Sequence, residues 1–278
     1  MSKNKKKNKK VKIISASILI ILLLIGLYNG LKIKNYMIKS EKITSPIRIV
    51  LVTDLHSCKY GEEEKNLIQA IEEQNPDIIA LSGDIFDDKI PDNNTEYFLK
   101  GVAEKYPCYY VTGNHEYYAG WEAYYKKMEI LEKYQVHVLN GMIENITIHG
   151  QDISICGVED PVSSNFNKQF KQIQELLKNN NNYKILLSHR PELFEDYVTA
   201  NFDLVLAGHA HGGQWRIPVI LNGLYAPDQG LFPKFAGGFY QKENTTMIVS
   251  RGLARESTRI PRIYNQPELV VIDLESLD

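Results

Sequence analysis

The chain has 278 residues, of which 44% are hydrophobic and 24% charged, a composition that supports an ordinary globular core. Residues 1–39 hold ten lysines and no acid, so the remaining 22 basic and 34 acidic residues give residues 40–278 a formal charge of −12. This acidity argues against nucleic-acid binding, which depends on Lys and Arg. The three isolated cysteines argue against a disulfide framework or a thiolate zinc site.

The N-terminus combines a basic and an apolar segment. Residues 1–12 carry seven lysines, and residues 13–31 are 19 positions without a charge. This length suits a membrane span, whereas a secretory signal is shorter and ends at a small-x-small cleavage site that is not evident here. Four lysines follow the segment, fewer than precede it, so the positive-inside rule places the N-terminus in the cytoplasm. We expect a single-pass transmembrane signal anchor in the cell membrane with the remaining chain outside; a cleaved signal peptide is the alternative.

Residues 32–45 are predicted to be a polar tether to a domain over 46–278. Continuous apolar runs, typical of strands buried on both faces, predict strands at 47–52, 77–81, 108–112, 183–188 and 202–207. Apolar side chains at helical spacing predict helices at 62–74, 120–133 and 165–179. Shorter strands are expected at 136–139, 143–148, 152–158, 246–250 and 268–273. The mixture predicts an α/β fold with two packed sheets flanked by helices.

Metal-binding residue types follow the carboxyl ends of the five strong strands. In strand order they are Asp54 and His56; Asp84; Asn114 and His115; His189; and His209 and His211. The carboxyl ends of strands form the ligand crevice of open α/β sheets, so we expect these side chains to share one edge. Since side chains at i and i+2 of an extended segment point the same way, Asp54 with His56, and His209 with His211, can each present two groups to one point.

The chemistry of this set favours metal ions. Asp, Asn and His without Cys suit divalent metals such as Mn, Fe or Zn. The seven candidate ligands, which exclude His115, exceed the needs of one tetrahedral ion. Two ions that share a carboxylate, about 3.5–4 Å apart as in two-metal hydrolytic sites, would use them all. The sequence therefore predicts a binuclear metal centre.

The ordered motifs DLH, GD, GNHE, SHRP and GHAHGGQ resemble those of the calcineurin-like metallophosphoesterases, over about residues 45–275. The apolar N-terminus, GVEDP (157–161) and SRGLARESTRIPRI (250–263) are most similar to a bacterial membrane-associated phosphoesterase subgroup. The resemblance implies a four-layer α-β-β-α sandwich of two mixed β-sheets. Some members of that subgroup act at the cell wall, and others cleave a lipid-linked pyrophosphate.

The resemblance also assigns roles to individual residues. It implies that Asp54, His56 and His211 bind one ion, that Asn114, His189 and His209 bind the other, and that Asp84 bridges them. It further implies that His115 protonates the leaving oxygen. Glu116 and Ala210 stand where Asp and Thr are frequent in the family, and neither position is a ligand.

The expected function is that of an exported, membrane-anchored phosphohydrolase, with manganese the favoured metal. It would cleave a phosphoester or pyrophosphate by direct attack of a metal-bridging hydroxide, on a phosphorylated small molecule or a lipid-linked or cell-wall substrate. Arg251 and Asp160 are candidate substrate-binding residues; the alternatives are a solvated loop for Arg251 and an orienting role for Asp160. A catalytically silent metal-binding scaffold and a nuclease of the same fold are the competing functions. The complete ligand set argues against the first, and the acidic domain argues against the second.

Overall fold

The structure, a computed structural model, describes residues 2–255 and 260–277, with only the backbone given for residues 2–6. The helices are α1 (Ser2–Gly26), α2 (Lys65–Glu72), α3 (Asn93–Val102), α4 (His115–Tyr118), α5 (Trp121–Lys133), α6 (Phe166–Leu177) and α7 (Phe194–Thr199). The strands are β1 (Lys32–Ser40), β2 (Ile47–Val52), β3 (Ile78–Ser82), β4 (Cys108–Val111), β5 (His137–Val138), β6 (Ile143–Ile148), β7 (Gln151–Gly157), β8 (Tyr183–Leu187), β9 (Leu204–Ala207), β10 (Tyr225–Ala226), β11 (Gly230–Leu231), β12 (Gly238–Lys242), β13 (Thr245–Val249) and β14 (Glu268–Ser276).

Two mixed six-stranded sheets form the centre of the fold. The first, sheet A, has the strand order β1-β14-β2-β3-β4-β5, and only the β14–β2 pair is antiparallel. The second, sheet B, has the order β12-β13-β9-β8-β7-β6, with antiparallel pairs at its two edges. The parallel strands of each sheet therefore present their carboxyl ends together.

Apolar side chains pack in three layers. Ile49, Leu51, Ile185 and Leu206 belong to the cluster between the two sheets. A second cluster joins the outer face of sheet A to α2, α3 and α5, and a third joins the outer face of sheet B to α6 and α7. The layers run helix, sheet, sheet, helix, which confirms the expected two-sheet α/β sandwich.

The strongest apolar runs were predicted best. The five continuous runs appear as β2, β3, β4, β8 and β9, with ends that differ by at most two residues from those expected. The helix expected at 62–74 begins as a 3₁₀ turn at Glu62–Glu64 and continues as α2. Helix α3 was missed, although Thr95, Phe98, Leu99 and Val102 are buried at helical spacing.

The polar segment after α1 is a strand and not the expected tether. Residues 32–40 form β1, which pairs in parallel with all nine residues of β14. Half of this strand faces solvent, but Ile38 is buried in the core between the sheets. Its alternating polar positions hid the strand, because an edge strand needs only one apolar face.

The N-terminal helix differs from the expected span over 13–31. It ends at Gly26, and residues 27–31 lead directly into β1. Within the described residues, the structure contains no helix that is long and apolar enough to cross a membrane. The predicted transmembrane helix is therefore not confirmed.

Removal of residues 1–45 will destabilise the domain, whereas removal of residues 1–31 will leave both sheets intact. Only the longer deletion removes β1 and with it the buried Ile38. Burying one isoleucine contributes about 2 kcal/mol, so the chain without residues 1–45 should lose at least about that much free energy of unfolding. Urea titration of the two truncated chains measures the difference, and equal stabilities would show that β1 is dispensable.

Candidate metal centre

The predicted ligands meet at one edge of the sandwich. Their loops follow the carboxyl ends of β2, β3 and β4 in sheet A and of β8 and β9 in sheet B. Strand β3 lies against β8 and β9, which brings the loops of the two sheets together. All seven candidate ligand side chains are buried: Asp54, His56, Asp84, Asn114, His189, His209 and His211.

The ligand atoms form two adjacent groups. One contains Asp54, His56 and His211, and the other contains Asp84, His189 and His209. Within each group the ligand atoms lie within 4.8 Å of one another. Asp54 and His56 share a group, whereas His209 and His211 belong to different groups.

Asp84 lies between the two groups. Its Oδ2 is 3.0 Å from Nε2 of His189 and 3.6 Å from Nε2 of His56. Its Oδ1 accepts a hydrogen bond from the backbone N–H of His115 at 2.9 Å. One carboxylate oxygen is therefore held by the backbone, while the other faces ligands from both groups.

Several side-chain atoms of the candidate ligands are buried without a hydrogen-bond partner among the described residues. They are Nε2 of His56, Oδ2 of Asp84, Oδ1 of Asn114, Nε2 of His189 and Nδ1 of His211. Buried polar atoms are normally paired, and each unpaired one costs free energy. A set of converging oxygen and nitrogen lone pairs is what a divalent cation requires, so these residues fit a divalent metal centre.

The other nitrogen of three imidazoles is fixed by a second contact. The contacts are His56 Nδ1 with Asp87 Oδ2 at 3.0 Å, His189 Nδ1 with the Ser82 carbonyl at 2.9 Å, and His209 Nε2 with Asp228 Oδ2 at 2.8 Å. Hydrogen bonds of this kind select the tautomer and orient the ring towards a metal. These contacts thus determine which nitrogen of each histidine remains free to bind an ion; they are made by Asp87, Ser82 and Asp228.

The charges of the centre are strongly coupled. Burial opposes ionisation of Asp84, but His189 and His56 hold the pKa of this carboxyl well below its usual range. Burial and the positive charge of His56 lower the pKa of His211 well below its usual value. His211 is therefore neutral at pH 7, the form of imidazole that binds a metal.

Glu116 joins the loop after β3 to the loop after β4 through hydrogen bonds to both. Its buried carboxylate accepts backbone hydrogen bonds from Asp84, Ile85, Phe86 and Gly113 at 2.7–3.1 Å. Burial and the charge of Asp84 raise the pKa of Glu116 to about 7, while the N–H donors favour its charged form. The residue is not a ligand, but it fixes the backbone on either side of Asp84 and Asn114.

His115 is placed at the rim of the centre, with its side chain 26% exposed. Its Nδ1 lies 2.7 Å from Oδ1 of Asp88, and its ring packs edge-on against His56. Asp88 therefore orients the imidazole, and the exposed fraction leaves it accessible to a bound molecule.

Asp160 acts on the centre through Arg190. The buried guanidinium of Arg190 donates to both carboxylate oxygens of Asp160, at 2.5 and 2.8 Å, and also to Asp228. Its Nη1 is 2.9 Å from Nε2 of His209. Asp160 is fully buried, and both its oxygens are engaged by Arg190; a substrate contact for Asp160 stays a prediction.

Arg251 lies beside the centre and does not join the ligands. Its Nη1 donates to the buried carboxylate of Glu268 at 3.0 Å. The next residue, Gly252, packs closely on Asp54: a Cβ atom added at Gly252 would lie 2.6 Å from the Cβ of Asp54. A substrate contact for Arg251 stays a prediction.

The backbone at the ligands is strained. Positive φ angles of 46–65° occur at Asp54, His56, Asp84, His209 and His211. Such angles are uncommon for residues other than glycine and collect at functional sites. Five of the seven candidate ligands therefore lie in left-handed loop residues beyond the strand ends, where side chains do not follow the alternation of an extended strand.

Sequence reasoning missed the residues that support the ligands. Asp87 and Asp88 follow Asp84 in the motif GDIFDD, where repeated carboxylates were the available signal. Asp228 is 54% exposed and lies far along the chain, in a loop without any motif. No sequence signal pointed to its contact with His209.

Comparison with known proteins identifies the family. The profile of the family described as calcineurin-like phosphoesterase matches residues 47–213. An uncharacterized metallophosphoesterase of Aquifex aeolicus is 29% identical over 272 residues, which cover 92% of this chain and 98% of that protein. An uncharacterized metallophosphoesterase of Campylobacter jejuni is 28% identical over 92% of this chain and 67% of its own length.

A solved structure shares the fold. The NAD nucleotidase of Haemophilus influenzae superposes with a TM-score of 0.51 at 17% sequence identity. The match covers 75% of this chain and 45% of the nucleotidase. At this identity the likeness concerns the fold alone.

Alanine at Gly83 will weaken metal binding, whereas alanine at Gly150 will not. Both glycines have positive φ angles, +86° and +79°, so both substitutions should cost about 1–2 kcal/mol of stability. Only at Gly83 would the new Cβ overlap a ligand, 2.5 Å from Nδ1 of His189; nothing lies within 4 Å at Gly150. We expect a loss of metal affinity of about tenfold or more for Gly83→Ala, the scale of second-sphere substitutions.

Titration of the metal-free chain with Mn²⁺ against a fluorescent chelator measures this difference. Gly150→Ala controls for backbone strain, since it has the same kind of φ penalty without the overlap. Equal affinities for the two variants would show that His189 is not a ligand.

Proposed function

This chain belongs to the calcineurin-like phosphoesterase family and is a metal-dependent phosphoesterase hydrolase, and we propose that it works through a binuclear metal centre. The observation that carries the proposal is the convergence of buried, unpartnered ligand atoms around Asp84. One ion would be held by Asp54, His56 and His211, and the other by Asn114, His189 and His209. Asp84 would bridge them, because its free oxygen faces ligands from both groups.

The donor set favours manganese among the candidate metals, since it combines hard carboxylate and amide oxygens with imidazole nitrogens. Bound divalent ions would neutralise the phosphoryl oxygens and lower the pKa of a coordinated water. The chain itself supplies the fixed geometry. Asp87 and Asp228 orient His56 and His209, and Glu116 holds the loops that carry Asp84 and Asn114.

His115 is the proposed general acid. Its Nδ1 lies 2.7 Å from Oδ1 of Asp88, and this contact fixes the ring and leaves Nε2 directed away from that carboxylate. The His115 side chain is 26% exposed, more than any of the seven candidate ligands, so it can reach the leaving oxygen of a bound ester. General acid help of this kind contributes about 10²–10⁴-fold to the rate.

The proposed substrate is an envelope or lipid-linked phosphoester or pyrophosphate. Two facts support a substrate at a membrane surface: the basic and apolar N-terminus, and the direct passage from α1 into the catalytic domain through β1. The ligands perform the same chemistry on monoesters, diesters and pyrophosphates, so the choice among them depends on the surrounding surface.

An assay of metal-dependent hydrolysis will distinguish the role of the proposed metal ligands from that of the proposed general acid, His115. The chain without residues 1–31, stripped of metal and supplied with Mn²⁺, should hydrolyse p-nitrophenyl phosphate or bis(p-nitrophenyl) phosphate. Asp84→Ala should reduce activity to background and lower the number of bound ions, because it removes the bridge. His115→Gln should lower kcat by about 10²–10⁴-fold and leave the bound metal unchanged.

Asp152→Ala is the matched control for Asp84→Ala, because Asp152 is exposed on the β6–β7 hairpin and should leave rate and metal content unaltered. Stoichiometric metal binding without turnover of either ester would contradict the proposal and favour a silent metal-binding scaffold.

We also propose that residues 13–31 attach the chain to a membrane, with the N-terminus cytoplasmic and the catalytic domain outside. The apolar side chains of α1 are exposed rather than packed on the domain; Leu19 is 69% and Leu24 63% exposed. A contiguous apolar surface of this kind marks a membrane or protein contact, and the lysines that precede it suit anionic lipid headgroups.

Fractionation of cells that express the full chain tests the attachment. We expect the full chain in the membrane fraction after alkaline carbonate washing, and the chain without residues 1–31 in the supernatant. Protease added outside should degrade the domain. Release of the full chain by carbonate would contradict the proposal, and protection from external protease would contradict the orientation.

A further inference from the structure

A cavity of about 740 Å³ lies at the junction of α1 and the catalytic domain. Its walls come from the end of α1, the start of β1, the segment 216–219, Arg251 and the segment 264–266. None of the proposed metal ligands lines it. The cavity is therefore separate from the metal centre.

Hydrogen bonds from Tyr264 and Gln266 to the backbone of the N-terminal segment hold two sides of the cavity together. Tyr264 donates its N–H to the carbonyl of Gly26 at 2.7 Å and its hydroxyl to the carbonyl of Leu22 at 2.6 Å. Gln266 donates from Nε2 to the carbonyl of Gly30 at 3.0 Å. The first contact pairs the open carbonyl of Gly26, the last residue of α1, and the three contacts together hold the end of the helix beside the cavity.

Four cationic side chains line the cavity: Lys32, Lys34, Arg216 and Arg251. Arg251 is paired with the buried carboxylate of Glu268. The other three have no carboxylate within 4.0 Å in the described part of the chain, and Arg216 donates only to the neutral Asn222, through Nε at 2.9 Å. Burial and the positive charge of Arg251 lower the pKa of Arg216, as expected where positive charge is not fully compensated.

The rim of the cavity is apolar. Leu24 and Ile25 of α1 stand on one side and Val219 on the other. Val219 is fully exposed, and its neighbour Ile220 is 81% exposed. Exposed hydrocarbon on both sides of a cationic cavity suits a ligand with an anionic head and an apolar body, and a free anion would leave this apolar surface in water.

We propose that this cavity binds the phosphate headgroup of an anionic phospholipid, whose acyl chains lie along α1. The cations supply the charge that the phosphate needs, and Arg216 can bind it with its guanidinium. Basic cavities beside a membrane-associated helix are suited to such headgroups. The inference rests on the proposed membrane attachment and is independent of the proposed hydrolysis.

Lipid titration of the metal-free full chain in a non-ionic detergent tests this site by native mass spectrometry. Phosphatidylglycerol, phosphatidylcholine and inorganic phosphate are added separately. We expect saturable binding of one phosphatidylglycerol, with weaker binding of the other two. Each charge removed near a lipid phosphate should weaken binding about fivefold, so Lys34→Gln/Arg216→Gln should raise the apparent Kd about thirtyfold.

The matched control is Lys65→Gln/Lys89→Gln, which removes two exposed charges outside this cavity. It should bind phosphatidylglycerol like the wild type. Equal weakening of both double variants, equal binding of phosphatidylcholine, or equally tight binding of inorganic phosphate would each overturn the proposal. If the double variant fails to unfold cooperatively, Lys34→Gln alone, expected to weaken binding about fivefold, decides the question.

The experiment is separable from the tests of the proposed function. Binding is read without metal, so absence of ester hydrolysis does not alter it. Detergent keeps the full chain in solution, so the result is obtained whether or not α1 enters a membrane in cells.

Discussion

The burial of the Asp84 carboxylate between the two sheets is the constraint on which the centre depends. A buried charge is tolerated only when it is paired or hydrogen-bonded. Here one oxygen is held by the N–H of His115, and the other faces His189 from sheet B and His56 from sheet A. Asp84 thus ties the loops of both sheets to one point, and its pKa is held low by the imidazoles around it.

The same arrangement links metal binding to stability. Buried side-chain atoms without a hydrogen bond or ion pair, such as Oδ1 of Asn114 and Nδ1 of His211, oppose folding, and positive φ angles at five candidate ligands add to that cost. A cation that binds the folded chain and not the unfolded one offsets both, by mass action. The apolar layers on the outer faces of the two sheets support the strain, because they lie behind the strands whose ends carry the ligands.

The two-sheet fold and the edge where the candidate ligands meet could be predicted because they depend on local signals. Continuous apolar runs identify β2, β3, β4, β8 and β9, and Asp, Asn and His directly after them identify the edge where a ligand binds. The missed features depend on distant contacts. Strand β1 exists because β14, more than 200 residues later, accepts it as a neighbour. Asp228 reaches His209 through the tertiary fold, and no local pattern records such a contact.

The segment that follows Arg262 contacts both the end of α1 and the loop that carries His211. Tyr264 donates to the carbonyls of Gly26 and Leu22, and the next residue, Asn265, donates from its buried side chain to the carbonyl of His211 at 2.7 Å. Two consecutive residues thus connect the end of α1 to a ligand loop. Only residues 27–31 separate α1 from β1, so the β1–β14 pairing and the contacts of Tyr264 hold the C-terminal end of α1 close to the domain. A molecule bound beside the end of α1 is therefore connected to the His211 loop through Tyr264 and Asn265, a connection that a polar tether would not provide.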